Sequence, residues 1–115
     1  KSVAAEHTFE VNLSSEIFML EQLEKIAHSL EKRLKKHRVA GKTVTLKIKY
    51  SDFTQQTRSK TLPYFISDKG LVLETVKELL FQERMKDSVR LLGISLSNLN
   101  TEEKKTVVVQ LKFDF

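Results

Sequence analysis

The chain has 115 residues, 40% hydrophobic and 30% charged, with only three Gly and one Pro; this make-up fits one folded domain and excludes general disorder. No apolar run approaches the ~18 residues of a membrane span, and the absence of Cys excludes disulfides and thiolate metal sites. Lys and Arg number 20 against 15 Asp and Glu, a net charge of +5 that favours an anionic partner.

The opening "KSVAAEHTF" is no signal peptide and reads as a first strand, with Val3 and Phe9 inward and Ser2, Ala4 and Thr8 outward. A chain that opens on Lys1 with no Met is expected to be a domain cut from a longer protein. From Ser15, Met19, Leu23, Ile26, Leu30 and Leu34 recur at helical spacing, so an amphipathic helix is expected. Ser14 or Ser15 caps it, Lys35, Lys36, His37 and Arg38 suit the negative end of its dipole, and Gly41 marks its stop.

In "KTVTLKIKY", Val44, Leu46, Ile48 and Tyr50 alternate with Thr43, Thr45, Lys47 and Lys49, which predicts a strand with one buried and one basic face. After the turn "SDF", the segment "TQQTRSKTL" reads as the hairpin partner, polar on both faces until Leu62 and ended by Pro63. Ser67 then caps a second helix with Val72, Val76, Leu79 and Leu80 as its buried stripe and Lys77, Glu78 and Glu83 as its wet one. In "VRLLGISLSNL", Leu92, Ile94 and Leu96 share one face, and Leu91, Gly93, Ser95 and Ser97 the other.

The resulting order is βαββαβ, an α+β two-layer sandwich whose four-stranded, mainly antiparallel sheet carries both helices on one face. The bare face would display Thr43, Thr45, Lys47, Lys49, Ser2, Ala4, Thr8, Ser95 and Ser97. Hydroxyls, ammonium groups and accessible backbone N–H groups suit phosphates, whereas single-strand binders need exposed aromatic rings. Tyr50 and Phe53 are the candidates for such rings, and both read as core or turn residues. A charged sheet face also serves solubility. No phosphate-binding Gly loop, nucleophile elbow or paired metal-binding carboxylates occur, and His7, His28 and His37 lack the spacing of a zinc site. Asp52, Asp68 and Asp87 fall at predicted turns or caps. No catalytic residue and no metal site is expected in this chain.

Three segments in order, "KSVAAEHTF", "VTLKIKYSDFTQQTRS" and "VRLLGISLSNL", resemble the little finger, or polymerase-associated, domain of Y-family translesion DNA polymerases, most like the bacterial DNA polymerase IV group. The resemblance implies a non-catalytic domain that grips primer-template duplex through its backbone. Nucleotidyl transfer and Mg2+ binding would belong to a palm domain elsewhere in the parent, a cytoplasmic, nucleoid-associated bacterial enzyme of translesion synthesis and repair. By motif, the DNA contacts fall on Ser2, Ala4, Thr8, Thr57, Arg58, Ser59, Lys60, Thr61, Arg90 and Ser95. Ala4 stands where Gly is usual, and Ser95 where some relatives carry Arg.

The resemblance also implies a clamp-binding tail. Its form is commonly Gln-Leu-x-Leu-x-Leu or Phe, and Gln110, Leu111, Phe113 and Phe115 fill it with Phe in the middle place. By alternation alone "QLKFDF" reads as a half-buried strand. The fold plan is already complete at Leu99, however, and the polar "NTEEKKT" reads as a linker, so residues 1–99 are assigned to the domain and 100–115 to linker and tail. The expected partners are therefore primer-template DNA, the bacterial sliding clamp, and the palm and thumb of the parent chain. An RNA-binding or assembly module on a ferredoxin-like sheet is the alternative, separable by preference for single-stranded RNA; a small stand-alone enzyme ranks last.

Overall fold

The computed structural model describes residues 2–13, 15–83, 85 and 87–100. In chain order these form β1 (Ser2–Leu13), α1 (Glu16–His37), β2 (Gly41–Tyr50), β3 (Gln55–Ile66), α2 (Lys69–Leu80) and β4 (Val89–Leu99). The βαββαβ order and the α+β class match the sequence reading.

Helix α1 begins where Ser15, in extended conformation, accepts the Phe18 N–H on its hydroxyl. Glu16 in the first turn and Lys35, Lys36 and His37 in the last complement the dipole. The helix does not run on to Gly41. Arg38 closes it in the left-handed region at φ 54, with its N–H on the Lys35 carbonyl and the Val39 N–H on the Leu34 carbonyl. Gly41 instead opens β2, and a Cβ there would lie 2.7 Å from the Ser97 carbonyl oxygen and 2.8 Å from the Leu96 side chain. Close approach of two strands, not a helix stop, is why this position suits glycine.

Helix α2 is capped by Asp68, not Ser67: its carboxylate accepts the Leu71 N–H at 3.1 Å. Glu31 of α1 accepts the Lys69 N–H at 2.8 Å, so two carboxylates satisfy the first turn and sit at the positive end of the dipole. The second also ties the two helices together.

The sheet order is β1-β4-β2-β3, and every neighbouring pair is antiparallel. Each βαβ unit is split by one strand, β4 between β1 and β2, and β2 between β3 and β4. Strand β3 does not end at Pro63 but continues to Ile66, which pairs with Gly41 after a register shift beyond the Thr43–Thr61 pair. As an edge strand, β3 tolerates the missing proline N–H inside that irregularity.

Both helices cover the same side. Met19, Leu23, Ile26, Leu30 and Leu34 of α1, with Val72, Val76, Leu79 and Leu80 of α2, share one buried cluster with Val44, Leu46, Ile48 and Tyr50 of β2 and Leu92, Ile94 and Leu96 of β4. Ala5 and Phe9 of β1 complete it, which confirms the inward parity read for that strand. Among the described residues no helix is long and apolar enough to cross a membrane.

Gly41→Ala is expected to destabilise the domain by about 1–3 kcal/mol, because the new methyl group meets backbone and a packed Leu rather than open space. Urea denaturation measures this; unchanged stability would mean that β2 and β4 can separate at no cost.

Candidate nucleic-acid interface

The uncovered side of the sheet is built by register. Ser2, Ser97, Thr43 and Thr61 form one row across the four strands; Ala4, Ser95, Thr45 and Ser59 form the next. Glu6, Gly93, Lys47 and Thr57 make the third row, and Thr8, Leu91, Lys49 and Gln55 the fourth. Directly paired residues of antiparallel strands project to the same side, so these positions share one face. It is short of large side chains and rich in hydroxyls.

The face is internally ordered. Thr43 and Thr61 hydroxyls lie 2.9 Å apart, and those of Thr45 and Ser59 2.8 Å, so hydroxyl pairs link β2 to the edge strand β3. The Asn98 amide donates to the Thr43 hydroxyl at 2.6 Å from a residue at φ 54. Lys47 reaches Glu6 at 3.2 Å, crossing over β4 at Gly93. A Cβ on Gly93 would lie 3.0 Å from the Glu6 Cβ and 3.6 Å from the Lys47 Cβ, so the missing side chain leaves the corridor for this bridge. Glu6 falls on the open face by the same parity as Ala4 and Thr8, and the sequence reading passed over it. Among the described residues nothing of opposite charge pairs with Lys49.

The sequence-derived contact set divides between two sides of the sheet. Ser2, Ala4, Thr8, Thr57, Ser59, Thr61 and Ser95 lie together on the open face. Arg58 and Lys60 do not: they pair with the inward residues Leu46 and Val44 and so project toward α2. Arg58 is 5% exposed, and its Nη1 donates to the carbonyls of Leu79 at 2.8 Å, Leu80 at 2.9 Å and Glu83 at 3.3 Å. Its Nη2 donates to the Gln56 side-chain oxygen, which also receives the Tyr50 hydroxyl at 2.7 Å. The guanidinium thus satisfies carbonyls left open at the end of α2 and is unavailable to a ligand on the far face. Lys60 stands at the sheet edge, 2.6 Å from Glu78 of α2.

Arg90 occupies a third situation. Between the Lys49–Leu91 and Tyr50–Val89 pairs it is the extra residue of a bulge. Its guanidinium lies 4.6 Å over the ring of Phe53, at the end of the sheet carrying the Thr8–Leu91–Lys49–Gln55 row. Phe53 is an exposed turn residue, as read, held at φ 69 beside Asp52, whose carboxylate accepts the Thr54 N–H at 3.0 Å. The turn thus presents a ring on which the arginine rests. Among the described residues no group of three or more His, Cys, Asp or Glu side chains converges as a metal site. Gln110, Leu111, Phe113 and Phe115 lie outside the described residues.

The model of the impB/mucB/samB family C-terminal domain matches residues 1–113. The chain belongs to this family. DNA polymerase IV 2 of Agrobacterium fabrum is 40% identical over 105 residues, covering 90% of this chain and 29% of that protein. DNA polymerase IV of Clostridium perfringens is 40% identical over 119 residues, covering 99% of this chain and 32% of that protein. The chain therefore spans about a third of the length of these relatives. In fold it is similar to a solved complex of the beta-clamp processivity factor and the little finger domain of PolIV, with TM-score 0.71, 23% identity, and coverage of 84% of this chain and 87% of that one. A Dbh ternary complex gives TM-score 0.72 at 17% identity, covering 84% of this chain and 29% of that one. The impB/mucB/samB C-terminal fold thus carries the open face described above.

Arg58→Ala is expected to destabilise the domain by about 2–4 kcal/mol, since buried carbonyls of α2 lose a charged donor. In chemical denaturation Lys60→Ala should be nearly silent, as its ion pair is exposed. Equal, small effects of the two would contradict the role assigned to Arg58.

Proposed function

We propose that this chain is the DNA-gripping accessory domain of an error-prone translesion DNA polymerase, holding primer-template duplex by its phosphate backbone and tethered to the sliding clamp by its C-terminal peptide. The observation that carries the first half is the open face. Nine of its sixteen residues carry hydroxyls, namely Ser2, Thr8, Thr43, Thr45, Thr57, Ser59, Thr61, Ser95 and Ser97. The face also holds Lys47 and Lys49, Arg90 stands at its end, and no aromatic side chain occupies any of the four rows. Short donors read phosphate oxygens without reading bases, and the lack of stacking rings disfavours single strands. Family membership and relatives named DNA polymerase IV support the same reading.

In this arrangement hydroxyls donate to phosphate oxygens, while Ala4, Gly93 and the serines let the duplex approach the strands. Lys49 and Arg90 supply charge at one end. Lys47 is shared with Glu6, whose carboxylate repels phosphate, so the centre of the face is close to neutral. Contacts of this kind are indifferent to sequence, which suits a domain that must follow a moving primer end. The domain performs no chemistry. Nucleotidyl transfer, with its Mg2+, belongs to the palm of the parent chain.

The tether is proposed on the pattern Gln110, Leu111, Phe113 and Phe115. The apolar side chains would anchor in a hydrophobic cleft and the Gln amide would bond at its rim. Such a weak link raises the polymerase concentration at the primer end. That a solved relative in fold is a little finger domain held with a beta clamp supports this half of the reading.

Replacing Lys47, Lys49 and Arg90 with Ala should weaken duplex binding and flatten the dependence of log K on log salt by about 2–3. An unaltered slope would show that the wrong face has been assigned. Glu6→Gln should act in the opposite direction and tighten binding severalfold, because it removes a repelling carboxylate and releases Lys47. Deleting residues 110–115 is expected to abolish clamp binding in a pull-down while leaving the melting temperature nearly unchanged; a large drop in melting temperature would instead make that segment part of the core.

A further inference from the structure

The second concentration of charge lies on the helix layer. In the stretch from Lys32 to Arg38 every residue except Leu34 is basic: Lys32, Arg33, Lys35, Lys36, His37 and Arg38. Leu34 is buried and the six basic residues are exposed. Their neutralisation is slight. Glu31 lies 3.7 Å from Lys35 and is itself engaged at the start of α2, while Arg33 donates to the backbone carbonyl of Ala4. Among the described residues Lys32, Lys36, His37 and Arg38 have no hydrogen-bond or ion-pair partner for their side chains.

The helix is less stable for carrying this charge. Lys32 and Lys36 are like charges one turn apart, and Lys32 with Lys35, Arg33 with Lys36, and Lys35 with Arg38 repeat the repulsion at three-residue spacing. One or two cations would be enough to complement the end of the dipole. Arg38 adds an independent sign. It closes the helix at φ 54, where glycine closes helices without steric cost and a long side chain does not. Charge is present here despite both penalties.

Position gives the patch a use. Arg38 is three residues before Gly41, the first residue of β2, and Arg33 reaches Ala4 of β1. The patch therefore borders the end of the sheet that carries the Ser2–Ser97–Thr43–Thr61 row, opposite the end where Arg90 stands. From strand geometry the open face is only roughly 20 Å by 14 Å. A longer duplex must extend past one of these ends.

We propose that the C-terminal turn of α1, through Lys32, Lys36 and Arg38, is a second phosphate-binding segment that takes the backbone of duplex DNA leaving the open face at this end. The proposal extends the reading of that face as a duplex grip. The ligand is fixed by charge complementarity: a regular row of phosphates is the polyanion that the adjoining face already orients, and its binding relieves the repulsion among the lysines.

The test uses the 115-residue chain carrying Lys32→Gln, Lys36→Gln and Arg38→Gly together. Binding is measured against duplexes of about 8 and about 20 base pairs, roughly 27 Å and 68 Å long at ~3.4 Å per pair. The variant should bind the short duplex as the parent chain does. On the long duplex it should lose about tenfold or more in affinity, and its salt slope should fall by about 2 relative to the parent. Its melting temperature should not fall, because the variant removes repulsion and places glycine where the helix closes. Equal losses on both lengths would overturn the proposal, since the patch would then act only through the general field of the protein. No loss on either would also overturn it. The Lys47, Lys49 and Arg90 replacement provides the separate check on the open face: if it leaves short-duplex binding unchanged, the grip itself falls, whatever the α1 variant does.

Discussion

Leu23, Leu30 and Leu34 of α1 and Val76 and Leu80 of α2 are buried in one cluster with Val44, Leu46, Ile48, Leu92, Ile94 and Leu96, and this layer governs the rest of the molecule. Two helices cover one side of a four-stranded sheet, and once both lie on the same side the other must meet water or a partner. Alternation along each strand then sorts the chemistry without further instruction: whatever lies between the inward Val and Leu is displayed outward. The open face is a by-product of the core, and its rigidity comes from the core. Hydroxyls set on a packed sheet are held in place before a ligand arrives, so little ordering entropy remains to be lost on binding.

Arg58 is a buried charge on the otherwise largely apolar side of the sheet, and it explains a strand that otherwise looks out of place. Strand β3 is polar on both sides because its inward residues meet the end of α2 rather than the centre of the core. Arg58 covers the carbonyls of Leu79 and Leu80, and Gln56 holds both Arg58 and Tyr50. A helix end facing a sheet edge needs donors, and a guanidinium supplies several from one side chain.

Much of this was legible in the residues themselves. The spacing of Met19, Leu23, Ile26, Leu30 and Leu34 and the alternation of Val44, Leu46, Ile48 and Tyr50 located the core, because burial enforces a period that polar residues cannot imitate. The open-face hydroxyls of β1, β2 and β4 followed from the same parity, whereas Thr57, Ser59 and Thr61 of β3 were named only by the family motif. Arg58 and Lys60 were misplaced because "TQQTRSKTL" has no apolar alternation to declare which side faces in, and the family motif names residues without telling side chain from backbone. Arg90 was named by the family motif, but its place over Phe53 was hidden by a bulge, an insertion of register that no local pattern announces. The true caps, Arg38 and Asp68, each lay within a few residues of those chosen, since Ser, Asp and Gly compete for the same short stretch of chain.

The strand order has a consequence for how the chain reaches its fold. Strand β4 is the last of the described strands, yet it lies inside the sheet and is the only neighbour of β1. The β2–β3 hairpin can form from adjacent residues, but Ser2 finds its partner Ser97 only when nearly the whole domain has been made. Contacts so distant in sequence slow folding, because a long loop must close before they contribute. During synthesis the first strand therefore waits, unpaired, until residues 89–99 leave the ribosome, and the face that its hydroxyls complete exists only at that moment. A chain cut short before β4 lacks the strand that joins β1 to β2 and supplies Leu92, Ile94 and Leu96 to the core, so the four-stranded platform has no counterpart in partial products.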